Sequence, residues 1–149
     1  MTAPAAGVSP SAAVDSRPFA ELPWTVTHAE FVRAAESVEA DGACCVFVID
    51  GSIPPRARTG YAALVIAYAR ADEPVLILED GGAALLVRDG GIAAAEVVAR
   101  RVLEQMRRLG LDQTLRAGVV PLPGDCDAAV QAARDAAEHA GAGGVAVAA

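Results

Sequence analysis

The 149-residue sequence contains no lysine and no asparagine, and all 12 of its basic residues are arginine. The absence of lysine excludes a Schiff-base lysine and a lysine phosphate clamp, and the absence of asparagine excludes any site that needs its amide. No uninterrupted apolar run reaches about 18 residues, the length that a membrane-spanning helix needs. The first residues lack the basic start and apolar run of a secretory signal. We therefore expect neither membrane insertion nor a secretory leader.

Aromatic residues are scarce, and one sign of charge dominates. Aromatic residues make up 4% of the chain, hydrophobic residues make up 54%, and the formal net charge is −7. The apolar fraction is ample for the core of one domain. A negatively charged chain is repelled by phosphate backbones, so we expect no nucleic-acid partner. Residues 1–20, rich in alanine, serine and proline, are predicted to be a flexible segment before one domain at residues 21–149.

The three cysteines, Cys44, Cys45 and Cys126, follow neither a disulfide nor a metal-binding pattern. Their number is odd, and there is no CxxC pair or histidine-rich group. Neighbouring Cys44 and Cys45 would point to opposite faces of a strand. We interpret all three as core thiols of a protein in the reducing cytoplasm, and we expect no metal or other cofactor.

Hydrophobic periodicity predicts the first half of the fold. Thr27 and Glu30 have the spacing of a capping box before a first helix, and the apolar run ACCVFVI before Asp50 suits a strand covered on both faces. The stretch GSIPPRARTG is predicted to be a loop because its prolines lack a backbone donor, and a short helix follows it. Gly81 and Gly82 predict a hairpin turn between two strands in VLILEDGGAALLV.

The second half continues with a long helix from Ile92 to Leu109 and a strand in QTLRAGVVPLP. An alanine-rich helix capped by Asp125 or Asp127 follows, and VAVA is a last short strand. The order α-β-α-β-β-α-β-α-β predicts an α/β fold of the ferredoxin-like or palm type. This α+β sandwich has a β-α-β-β-α-β core with an extra C-terminal helix and strand.

Five segments in this order resemble the GGDEF domain of diguanylate cyclases, over nearly all of the chain from Glu21 on. ELPWTVTHAEF is similar to the LTGLxNRxxF segment, CCVFVID to the strand that ends in the first metal-binding aspartate, and LEDGGAALLV to the signature RxGGDEFxLL. TLRAGVVPLPGD is similar to TxSxGVAxxPxD, and AARDAAEHAGAGG to the closing ADxALYxAKxxGRN segment. The resemblance implies a GGDEF fold and a role in bacterial signalling.

The same resemblance implies that catalysis is lost. In an active member, acids at the strand end and at the third signature position hold two Mg²⁺ ions, which neutralise triphosphate charge and activate the 3′-hydroxyl. Asp50 matches the strand-end acid as a vestigial metal position, whereas alanines replace both signature acids. The family's Phe-Lys and Asn-Asp motif has no counterpart, so we expect no enzyme. The degenerate signature is Gly81, Gly82, Ala83, Ala84 and Leu85.

Many members of the family also bind cyclic di-GMP at an RxxD motif before the signature. Arg70 and Glu73 resemble it, as RxxE. Arg70 can pair with guanine or phosphate in fork geometry and would then form a nucleotide site with Glu73. Alternatively, a helix-ending arginine followed by solvated acids needs no ligand.

Other residues also have two interpretations. Asp50 can be a solvated turn former, and the two signature glycines can simply make the hairpin turn. Trp24 can pack against the first helix or anchor a partner. Two histidines, His28 and His139, have no nucleophile near them in the sequence. A group of arginines on the long helix can form a solvated face or recognise an acidic partner: Arg100, Arg101, Arg107 and Arg108.

The leading hypothesis is a catalytically inactive GGDEF-like signalling module of the bacterial cytoplasm that acts by protein–protein interaction, with a homodimer as one form of such contact. The alternative is a non-catalytic receptor that binds cyclic di-GMP or GTP through Arg70 or another arginine.

Overall fold

The computed structural model describes residues 25–70, 73–111 and 113–148, so the predictions made for residues 1–20 and for Trp24 lie outside the described residues. Within the described part the predicted order of helices and strands is confirmed, and no helix there is long and apolar enough to cross a membrane. The helices are α1 (His28–Glu36), α2 (Pro55–Tyr68), α3 (Gly91–Arg108) and α4 (Cys126–His139). The strands are β1 (Gly42–Ile49), β2 (Val75–Ile77), β3 (Ala83–Val87), β4 (Leu115–Leu122) and β5 (Val145–Val147).

The strands form one sheet in the order β2-β3-β1-β4-β5. β1 is antiparallel to both β3 and β4, β2 is antiparallel to β3, and β5 is parallel to β4. Consequently β1 and β2 run in the same direction with β3 between them, which is the arrangement of a ferredoxin-like core. α4 and β5 follow this core as the extra C-terminal helix and strand. The predicted fold class is confirmed.

Helices cover both faces of the sheet. Because the side chains of β1 alternate between the faces, each face of this strand packs against a different pair of helices. Cys45 and Phe47 pack with α2 and α3, whereas Cys44 packs with α1 and α4. Both cysteines are buried and free, as is Cys126. The predictions of a central strand and of core thiols on opposite faces are therefore confirmed.

Local capping signals fix two helix starts. The amide of Glu30 donates to Oγ1 of Thr27 at 3.1 Å, and the amide of Thr27 donates to Oε1 of Glu30 at 2.8 Å. Asp125 caps α4 by accepting from the amide of Ala128 at 2.8 Å. The prediction that GSIPPRARTG is entirely a loop is wrong, because α2 begins at Pro55. A proline at the first helical position loses no hydrogen bond, since an amide there has no acceptor within the helix.

Candidate functional site

A cleft of about 910 Å³ lies at one end of the sheet. Its walls are the loop after β1 with Asp50, the start of α2, the β2–β3 turn with Gly81, and residues of β4 and α4. β1 and β2 run in the same direction, so the end of β1 and the turn that follows β2 meet at the same end of the sheet. The structure thus brings Asp50 and the hairpin turn together, as the family resemblance implies.

Backbone geometry accounts for both glycines of the hairpin. Gly81 has φ +91°, a conformation that favours glycine, and its amide donates to the carbonyl of Leu78 at 3.0 Å. The amide of Leu78 in turn donates to the carbonyl of Gly82 at 2.8 Å. A Cβ on Gly82 would lie 2.6 Å from the carbonyl oxygen of Phe47. The turn therefore requires these residues without any bound ligand.

The three residues after the turn point into the protein rather than into the cleft. Ala83 and Ala84 are 1% and 0% exposed, and they lie opposite Phe47 and Val46 of β1. Their methyl groups pack on opposite faces of the sheet. Leu85 is fully buried beside them. None of these side chains offers an oxygen atom to the cleft.

Two carboxylates of the cleft form ion pairs with arginines. One oxygen of Asp50 accepts from the amide of Ser52 at 3.1 Å and from its hydroxyl, and the other lies 3.5 Å from Nη2 of Arg116. The hydrogen bonds from Ser52 hold the pKa of Asp50 below its ordinary value. Asp80 accepts from Nη2 of Arg134 at 2.6 Å. Both carboxylates are therefore paired inside the protein.

Arg58 of α2 links the end of β1 to the hairpin. Its guanidinium donates to the backbone carbonyls of Ile53 at 3.0 Å and of Asp50 and Asp80 at 3.2 Å each. A Cβ on Gly81 would lie 2.9 Å from Cβ of Arg58, so this side chain packs directly on the turn. No sequence pattern distinguishes Arg58, Arg116 or Arg134 from the other arginines of the chain.

Solved structures with the same architecture identify the fold. The coiled coil and GGDEF domain of DgcB from Caulobacter crescentus, in complex with c-di-GMP, has a TM-score of 0.69 at 13% identity, covering 91% of this chain and 90% of that one. The fold is that of a GGDEF domain. The GGDEF domain of YfiN (TpbB) from Pseudomonas aeruginosa has a TM-score of 0.65 at 21% identity, covering 83% of this chain and 96% of that one. An EAL/GGDEF domain protein from M. capsulatus has a TM-score of 0.64 at 16% identity, covering 80% of this chain and 92% of that one. No family model and no curated protein matches the sequence.

The side chains of this GGDEF fold do not fit the pair of Mg²⁺ ions that the resemblance implies. Asp50 is the one acid at the expected positions, and Ser52 and Arg116 already engage its oxygens. Across residues 25–70, 73–111 and 113–148, no group of three or more histidine, cysteine, aspartate or glutamate side chains could hold a metal ion. A single arginine-paired carboxylate does not supply the oxygen ligands of two hard cations.

Arg70 and Glu73 lie outside the cleft, between α2 and β2 of the GGDEF fold. Glu73 is 6% exposed, and its Oε1 accepts from the amide of Arg70 at 2.7 Å and lies 3.8 Å from Nη2 of Arg101. Arg101 also donates to the carbonyl of Tyr68 at 2.8 and 3.1 Å. The prediction of a solvated Glu73 is wrong, because its carboxylate turns inward to cap the chain after α2 and to face Arg101.

Of the four arginines on α3, Arg101 is half-buried and is not part of a solvated face, whereas the others are exposed, which is compatible with both interpretations of the group. Arg107 donates to Glu104 at 2.6 Å, and Arg100 lies 3.5 Å from Glu96. His28 lies 2.8 Å from Asp127 on the surface. These contacts describe an ion-paired surface on α3 and a polar pair where α1 meets α4.

Proposed function

We propose that this chain is a catalytically inactive GGDEF-fold signalling module of the bacterial cytoplasm that acts by binding another protein. The observation that carries the proposal is the set of side chains at the cleft that could coordinate a metal ion. Ala83 and Ala84, at the positions of the family's signature acids, are buried, and Asp50 is paired with Arg116. Without acids at the positions where the family holds its divalent ions, no metal ion would neutralise the charge of a triphosphate or activate the attacking hydroxyl.

The electrostatics of the cleft also disfavour a nucleotide. Four carboxylates and three guanidiniums line it, and each guanidinium is already bonded to a carboxylate or a carbonyl of the protein. The two acids without an arginine partner in the described structure are the exposed Glu79 and Glu138. A phosphate group would therefore approach a cleft whose free charge has the same sign.

Incubation with GTP and Mg²⁺ tests the loss of catalysis. We expect no cyclic di-GMP above a protein-free control when the products are separated by chromatography, under conditions in which an active GGDEF protein forms it. Cyclic di-GMP that appears with the wild type and disappears with Asp50→Ala would contradict the proposal, because it would show that the remaining acid still supports turnover.

The alternative is a non-catalytic receptor for cyclic di-GMP or GTP. The similar DgcB structure contains c-di-GMP, so this ligand is the first probe. The buried carboxylate of Glu73 argues against the alternative, since it is not free to accept from a guanine edge. We expect calorimetry to give no binding heat with either nucleotide. Micromolar binding that is lost in Arg70→Ala and kept in Arg33→Ala would favour the receptor over the proposed module.

A further inference from the structure

The two edges of the sheet differ. At the β2 edge, the amide of Val26 donates to the carbonyl of Val75 at 3.0 Å, and Thr25 forms a parallel bridge with the same residue, so the chain before α1 covers part of this edge. The opposite edge is β5, which among the described strands pairs with β4 alone. An open edge presents amide and carbonyl groups to which another strand can be added.

The register shows which groups of β5 face outward. The amide of Ala117 in β4 donates to the carbonyl of Gly144 at 3.0 Å, and the amide of Ala148 donates to a β4 carbonyl at 2.8 Å. In a parallel ladder, alternate residues of a strand bond to the same neighbour. The backbone N–H and C=O groups of Val145 and Val147 therefore point away from the sheet.

A groove of about 410 Å³ lies beside this edge. Arg100, Glu104 and Arg107 of α3 wall one side, and the turn that leads into β5 walls the other, together with Val145. Val147 lies two residues along the strand and is 44% exposed, so apolar surface continues along the edge. Because side chains alternate along a strand, every second side chain of an added strand would enter this groove.

Charge indicates the kind of segment that fits. The chain carries a net charge of −7, yet the surface of α3 carries an excess of one positive charge, because Arg101 turns inward to Glu73 and the other charged side chains are Glu96, Arg100, Glu104, Arg107 and Arg108. Arg100 and Arg107 form ion pairs with Glu96 and Glu104, which an acidic segment would have to compete for. Positive charge beside an open edge complements acidic side chains. We propose that the β5 edge and the α3 groove together bind an extended acidic segment of a partner protein by strand addition. This inference rests on the proposed function, because it names the surface and the partner of that module.

A blocked six-residue peptide of alternating glutamate and valine is the probe, and the same peptide with lysine for glutamate is its control. In an NMR titration of the full chain, we expect the amides of Val145 and Val147 to shift saturably and to exchange with solvent at least about 10-fold more slowly. The amides of Ala146 and Ala148 already face β4 and should change little. The lysine peptide should bind at least about fivefold more weakly.

Substitutions distinguish strand addition from nonspecific binding of the peptide. Val147→Pro removes one outward N–H and leaves the bonds to β4, so binding should fall at least about 10-fold, whereas Val147→Ala keeps the N–H and should lose less than about threefold. Arg100→Gln with Arg107→Gln should weaken binding about fivefold, and the matched pair Arg33→Gln with Arg88→Gln should leave it unchanged.

Three outcomes would overturn the inference: no saturable binding at millimolar peptide, equal binding of the two peptides, or equal losses in the two Val147 variants. Concentration-dependent dimerisation in light scattering that Val147→Pro abolishes would also overturn it, because a second copy would then occupy the edge. Failure of the proposed function is a separate result, since formation of cyclic di-GMP would leave peptide binding at β5 unaffected.

Discussion

Gly118 is the residue on which the packing of α4 against the sheet depends most directly. A Cβ added there would lie 1.9 Å from the carbonyl oxygen of Ala133 and 2.6 Å from the amide nitrogen of Ala137. Both contacts are with helix backbone, so no change of rotamer relieves them, and α4 would have to move away from β4. Overpacking of a core costs about 1–3 kcal/mol, and a clash with backbone belongs at the upper end. We predict that Gly118→Ala lowers the free energy of unfolding by about 3 kcal/mol.

Urea unfolding followed by circular dichroism measures this loss, which corresponds to a decrease in Tm of about 10 °C for a domain of this size. Gly124→Ala is the matched control, because a Cβ at Gly124 would meet nothing within 4 Å. Its free energy of unfolding should stay within about 0.5 kcal/mol of the wild type. Equal stability of the two variants would refute the close approach of α4 to β4.

Three further predictions concern the cleft and the core. Arg58→Gln should lower the free energy of unfolding by about 2 kcal/mol in urea unfolding, because its guanidinium donates to three carbonyls, and an unchanged midpoint would contradict this role. Ser52→Ala should raise the pKa of Asp50 in an NMR titration. A lowered pKa in the folded state stabilises the fold at pH values above the unfolded pKa, so the variant should be less stable than the wild type at neutral pH, and the difference should disappear as pH falls below the wild-type pKa of Asp50. Burial raises the pKa of Cys44 to about 12 and that of Cys45 well above its usual value, so neither thiol should react with a thiol reagent at neutral pH until urea unfolds the chain.

Much of the fold could be predicted because its signals are local. The capping box at Thr27, the continuous apolar run of β1 and the Gly81–Gly82 turn each depend on a few neighbouring residues, and all three are confirmed. The start of α2 differs from the prediction because adjacent prolines, such as Pro54 and Pro55, are typical of loops. The same residue type is also favoured at the first helical position, so Pro55 is compatible with both structures.

The candidate site was less accessible from the sequence. The family resemblance placed Asp50 near the hairpin, but Arg58 becomes conspicuous only once α2 is known to begin at Pro55, since it then shares a face with the buried Tyr61. The partners of Arg116 and Arg134 lie 66 and 54 positions away in the sequence. No local pattern reveals ion pairs of that separation.

The buried alanines and the paired arginines of the cleft support one another. A carboxylate at position 84 would enter a site that is 0% exposed and opposite Val46, where an ionised group is strongly unfavourable. Divalent ions at Asp50 would also have to displace Arg116, whose guanidinium supplies positive charge to that carboxylate. Replacing Ala84 with glutamate alone would therefore destabilise β3 before it created a metal site. Because two independent features would have to be reversed together, we expect the proposed partner to bind at a surface away from the cleft.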